Sequence, residues 1–134
     1  MSVCDPIASR HSVRRFSPEP IGRSIIDTIV DAGLLSPSSK NRQPWEMVIL
    51  DSREDIISLS STLSKIVEEL EASGTPLDTT SASVRIMSEA PCIVFVGYRD
   101  PYTDGIQGDL TDREFVDALS LGACIENMCI QATS

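Results

Sequence analysis

Ser36-Pro37-Ser38-Ser39-Lys40-Asn41-Arg42-Gln43-Pro44-Trp45 is the stretch on which the reading of this chain turns. Its two prolines fix their own φ and push the residues before them out of helical conformation, so the segment reads as a stiffened polar loop. Small hydroxyl side chains, two amides and exposed backbone donors give it the means to line the flat edge of a heteroaromatic ring, with little conformational freedom left to lose. The same residues also suit a plain helix-to-strand connection in which Trp45 anchors the core. For Trp45 the core is the primary expectation.

Upstream of the loop, Ile25, Ile26, Ile29, Val30 and Leu34 recur at helical spacing between Gly22 and about Leu35. Ser17-Pro18-Glu19-Pro20 before them is expected to be extended. Asp5-Pro6 reads as an N-cap followed by a first-turn proline, opening a short helix through about Ser9. Between these lies the cationic stretch Arg10-His11-Ser12-Val13-Arg14-Arg15-Phe16. Two guanidinium groups can each take a phosphate in bidentate fashion, with the Ser12 hydroxyl as a further donor. A solvated basic turn paired with surface carboxylates fits the same spacing. His11 adds little by itself, because a lone His is commoner as a packed or surface residue.

Downstream, Trp45 to Leu50 reads as a strand whose Met47-Val48-Ile49-Leu50 run is expected to be buried. Ser52 and Asp55 stand at capping-box spacing before a helix carrying Ile56, Leu59, Leu63, Ile66, Val67 and Leu70. After a loop with Gly74 and Pro76, a short helix around Ser83 to Glu89 ends at Pro91. Cys92 to Val96 then makes a second buried strand, and Tyr98 to Thr111 a loop or lid. The last segment, Asp112 to about Thr133, spreads Phe115, Val116, Leu119, Leu121, Ala123, Ile125, Met128 and Ile130 around most of a helical wheel. Such a helix needs cover on most faces, and a second subunit is the natural source. With two strands only, any sheet is small and draws further strands from beyond Ser134 or from a partner.

Hydrophobic residues make up 41% and charged residues 23% of the 134, a globular balance that fills one domain, 1–134. A net charge of −9 argues against nucleic acid, whose backbone needs a cationic face. Local cationic spots at Arg10–Arg15 and Lys40–Arg42 suit a small anion better. No apolar run is long enough for a membrane span, and no secretory signal opens the chain, so a cytoplasmic location is expected. Cys4, Cys92, Cys124 and Cys129 form no CxxC pair, and one His cannot complete a familiar zinc set. Cys124 and Cys129, in an apolar segment, are expected to be buried reduced thiols.

The two central stretches together resemble the nitroreductase family of FMN-dependent oxidoreductases. The family's Arg-(Arg/His)-Ser-x-(Arg/Lys)-x-Phe motif is matched from Arg10 to Phe16, and its Pro-Ser-x-x-Asn-x-Gln-Pro-Trp loop from Pro37 to Trp45. The resemblance implies an α+β, nitroreductase-like α/β/α sandwich, assembled as an interlocked homodimer with two sites at the interface. It implies that Arg10 and Ser12 hold the FMN phosphate and ribityl chain with His11 beside them, and that Arg14 reaches the pyrimidine edge of the flavin. Pro37, Ser38, Ser39 and Asn41 would pack against the flavin held by the other subunit. The implied reaction is ping-pong: NADH or NADPH reduces FMN, and a small electron-poor acceptor such as a nitroaromatic or quinone takes the electrons. No side chain need act as acid or nucleophile, because the cofactor carries the chemistry. A non-catalytic flavin-binding module or an inactive fragment of such an enzyme is the alternative.

The chain departs from the family pattern in two places. Where some members contact the ring through Asn and Lys, this chain has Ser83 and Arg85. The family also continues past the last helix with a turn, a strand and basic residues. A helix halting at Thr133-Ser134 without a glycine cap or proline therefore reads as the end of a fragment, with its C-terminal part lacking. On its own such a chain is expected to bind FMN weakly and to be poorly soluble.

Overall fold

The computed structural model describes residues 4–98 and 110–134, with the side chains of residues 110–113 excepted. Among them, α1 (Asp5–Ser9), α2 (Arg23–Leu34), a 3-10 turn (Ser39–Asn41), β1 (Trp45–Leu50), α3 (Arg53–Ala72), α4 (Thr80–Glu89), β2 (Ile93–Tyr98) and α5 (Leu110–Gln131) follow one another. The chain divides into two compact units, one of Met1–His11, Gly22–Val48 and Phe95–Ser134, the other of Ser12–Ile21 and Ile49–Val94.

In the first unit α2 packs along α5, with α1 and the 3-10 turn also against α5. Ile26 (3% exposed) and Gly33 are the buried positions of α2, and Cys124 and Met128 face them from α5. Asn127 donates from Nδ2 to the Ala32 carbonyl at 3.2 Å, satisfying one of the acceptors left over near the end of α2. The helix α1 covers the expected residues, but its N-cap is Cys4, and Asp5 and Pro6 are its first helical residues. Pro6 still falls in the first turn, where its missing N–H costs nothing.

The apolar residues of α5 are spread over its wheel as expected, but only one face is buried. At about 100° per residue, Asp117, Ser120, Cys124 and Met128 share one side, and all four are buried. Phe115 and Leu119 lie roughly opposite and are 66% and 59% exposed, and Ile125, on the flank between, is 45% exposed. One face is covered by this chain, and the other has no cover among the described residues.

In the second unit α3 packs on α4. The Ser52 hydroxyl accepts from the Asp55 N–H at 3.4 Å, the N-cap that the spacing predicts. Ile56 and Val67 of α3 and Val84 of α4 are buried. Arg53 donates from Nη1 to the Ser88 carbonyl at 2.6 Å, a cation at the C-terminal end of α4 where the helix dipole favours one. The helix α4 begins at Thr80, three residues before the apolar periodicity indicates. Its first turn is Thr80-Ser81-Ala82, too polar and small to carry a periodic signal, and it opens with the Thr80 N–H donating to the Leu77 carbonyl at 2.8 Å.

β1 and β2 pair in a two-stranded sheet. The strands are where the sequence places them, but they are not buried as expected. Val48, Phe95 and Tyr98 are 58%, 40% and 51% exposed. A two-stranded sheet gives each strand only one neighbour, and no further strand stands beside either among the described residues. Most of the expected loop or lid, residues 99–109, lies outside the described residues. Tyr98 itself ends β2, and α5 starts at Leu110 rather than Asp112.

Candidate functional site

The loop after α2 is more constrained than its composition suggests. Lys40, Asn41 and Gln43 adopt positive φ values of 51°, 54° and 50°. For residues with a Cβ this conformation costs roughly 1 kcal/mol or more each, Asn being the most tolerant. Internal bonds hold it. The Asn41 N–H donates to the Ser38 carbonyl at 3.0 Å, the Arg42 N–H to the Ser39 carbonyl at 3.1 Å, and the Gln43 N–H to the Ser38 hydroxyl at 2.9 Å. The Ser39 N–H donates to the Ser120 hydroxyl at 3.4 Å. The sequence suggests exposed backbone donors, yet these four are already engaged. What the loop presents outward is the Pro37 ring and the Lys40 and Asn41 side chains, with Ser38 and Ser39 half-buried.

Arg42 is not a free cation for a ligand. Its Nη2 lies 2.7 Å from Asp117 Oδ1, with the two side chains 23% and 8% exposed. The second cationic spot therefore reduces to Lys40. Asp117 and Ser120 are the site residues that reading the sequence by motif misses. The available signal was two polar residues three apart among the apolar residues between Phe115 and Ile125. Pro37, Ser38 and Ser39 face Val116, Leu119 and Ala123 of α5 across an open depression of about 260 Å³.

Of the amino-terminal stretch, Arg10 lies 2.9 Å through Nε from Glu126 Oε1, with side chains 36% and 53% exposed. This is the surface-carboxylate pairing that the spacing also allowed. A half-exposed ion pair of this kind is weak. His11 Nδ1 lies 3.0 Å from the Ser9 carbonyl, an acceptor. Ser12 and Arg14 are exposed, and Arg14 makes a 3.4 Å bond from Nη1 to the Ser12 carbonyl. Ser83 and Arg85 bond within α4 or its cap, the first donating to the Thr79 carbonyl at 3.1 Å and the second pairing with Glu89 at 3.1 Å.

All four cysteines are free, and Cys124 is buried as expected whereas Cys129 is not fully so. Cys124 is fully buried, and burial pushes its thiol above the ordinary 9.0. Cys129 is only half-buried and Cys4 is exposed.

The family model for the nitroreductase family matches residues 7–134. The chain belongs to the nitroreductase family. It is 48% identical over 44 residues to the 4-nitrobenzoate reductase of Pseudomonas putida, a match covering 33% of this chain and 19% of that one. In fold it is similar to a nitroreductase family protein from Clostridium novyi NT, with a TM-score of 0.70, 17% identity and coverage of 99% of this chain and 64% of the other. It is likewise similar to the NADPH:FMN oxidoreductase from Vibrio harveyi complexed with NAD+, with a TM-score of 0.70, 18% identity and coverage of 96% and 50%. The α+β class read from the sequence is thus the nitroreductase fold. The chain spans less than two thirds of the length of each of these relatives. Among the described residues no helix is long and apolar enough to cross a membrane.

Proposed function

We propose that this chain holds the flavin of an FMN-dependent NAD(P)H oxidoreductase that acts as a homodimer on a small electron-poor organic acceptor such as a nitroaromatic or quinone. The observation that carries the reading is the Ser38–Gln43 turn. Three left-handed non-glycine residues are held by four backbone bonds and an ion pair beside an uncovered apolar helix face. Strain of this kind persists where the surroundings over-determine it, and it concentrates at ligand sites. The family relatives give the ligand its class: one is an NADPH:FMN oxidoreductase and another a 4-nitrobenzoate reductase.

The donor set fits FMN. Arg10 and Arg14 are guanidinium groups with accessible faces, the one in a displaceable ion pair and the other in a single long local bond. Arg10 and the Ser12 hydroxyl would take the phosphate and ribityl chain, with His11 beside them. Arg14 would stand at the pyrimidine edge, where a fixed positive charge stabilises negative charge gained on reduction. Pro37, Ser38, Ser39 and Asn41 would lie against the ring held by the partner protomer, excluding water and limiting the ring's tilt. FMN held by these residues would supply the two-electron chemistry of a ping-pong reaction, with NAD(P)H as reductant and the organic acceptor as oxidant.

The test is anaerobic addition of NADH or NADPH to the flavin-loaded chain. Bleaching of the flavin absorbance, restored by a nitroaromatic or quinone, supports the reading. Stable yellow colour points to a non-catalytic flavin-binding module, and no retained absorbance after dialysis against FMN rejects flavin binding altogether.

A further inference from the structure

The covered side of α5 carries two buried polar residues, Asp117 and Ser120, each 6% exposed. A buried carboxylate and hydroxyl are costly unless bonded, and both bond to the same ten-residue loop. Asp117 Oδ1 takes Arg42 Nη2 at 2.7 Å. Ser120 Oγ accepts from the Ser39 N–H at 3.4 Å while donating to the Val116 carbonyl at 2.9 Å. The two attachments bracket Lys40 and Asn41, the consecutive left-handed residues of the turn. A plain connection between α2 and β1 has no need of this arrangement. Apolar residues of similar volume in place of a buried ion pair are often neutral or stabilising, so the pair is better understood as fixing one conformation.

We infer that Asp117 and Ser120 are positioning residues, clamping the Ser38–Arg42 turn so that the exposed Pro37 and Asn41 meet the flavin ring of the partner protomer. The inference rests on the flavin reading above. Neither residue touches the ligand. Asp117 acts through Arg42, and Ser120 acts through the Ser39 amide. Loss of either tether lets the left-handed residues relax, which moves the Asn41 side chain and the Pro37 ring without altering the phosphate grip at Arg10.

The experiment compares FMN with riboflavin, which carries the same ring without the phosphate. Both are titrated by fluorescence quenching into the full chain and into Asp117→Asn, Ser120→Ala, Arg42→Gln and Arg10→Ala variants. Asp117→Asn and Ser120→Ala should each weaken FMN and riboflavin alike, by about fivefold to tenfold. The ratio of the two affinities should stay constant, and the visible circular dichroism of the bound flavin should change. Asp117→Asn should add nothing in the Arg42→Gln background. Arg10→Ala should instead reduce FMN affinity much more than riboflavin affinity, changing the ratio of the two. Ser120→Ala removes only one oxygen and serves where Asp117→Asn fails to fold. Wild-type affinities with an unchanged dichroism spectrum overturn the inference, as does a loss confined to FMN or a loss additive with Arg42→Gln. If the unmodified chain binds neither flavin, the flavin reading itself fails and the clamp falls with it.

Discussion

Gly33 and Met128 stand so close that a Cβ added to Gly33 would lie 2.7 Å from Met128 Cγ and 3.1 Å from Cys124 Sγ. The axis of α2 can approach α5 at this point only because residue 33 lacks a side chain. Gly33→Ala should therefore destabilise the chain by about 1–3 kcal/mol through overpacking, less the gain of up to about 1 kcal/mol that alanine brings to a helix. A thermal or urea melt checks this. Adding Met128→Ala should recover part of the loss, because the two positions share one space. Two independent, additive losses would show that the contact is not the cause.

Much of this architecture was legible in the sequence. The Ser52–Asp55 spacing marked the start of α3, Pro91 the end of α4, and the spread of apolar residues after Asp112 a helix with two faces to cover. These are local signals, each set by capping, proline geometry or period. The exposure of Val48 and Phe95 was not legible, because an apolar run says that a strand wants cover and not whether its neighbours supply it. In the loop, the motif named Pro37 to Asn41 but gave no hint that Arg42 is neutralised from 75 residues away, or that the turn is left-handed at Lys40. Contacts of that range depend on the tertiary fold alone.

The uncovered face of α5 makes a prediction about assembly. Leu119 is 59% exposed, and its neighbour one turn back, Phe115, is 66% exposed. If a second copy covers this face, Leu119→Glu should convert a dimer to a monomer in sedimentation velocity while leaving the helical circular dichroism intact. A chain that is already monomeric before substitution would remove the proposed homodimer.

Cys124 offers a pH prediction with a definite sign. Burial raises its folded ionisation above 9.0, so as pH climbs past that value the unfolded thiol loses its proton first and the unfolded chain is favoured. The residue's contribution to stability is intact below pH 9.0 and is lost as pH rises through the higher folded value. The stability difference between the wild type and Cys124→Ala, read from urea melts, should be constant below pH 9.0 and shrink above it. In the native state a thiol reagent should modify the exposed Cys4 quickly and Cys124 only on unfolding. Rapid native-state labelling of Cys124 would contradict its burial.

Arg10 and Arg14 carry the central claim, that two guanidinium groups near the amino end hold a phosphorylated flavin. The dissociation constant for FMN of the doubly substituted Arg10→Ala/Arg14→Ala chain, set against that of the wild type, tests it most directly. A charged hydrogen bond is worth about 1.5–3 kcal/mol, so the account predicts weakening of at least about tenfold. An FMN affinity unchanged by removal of both side chains would contradict it.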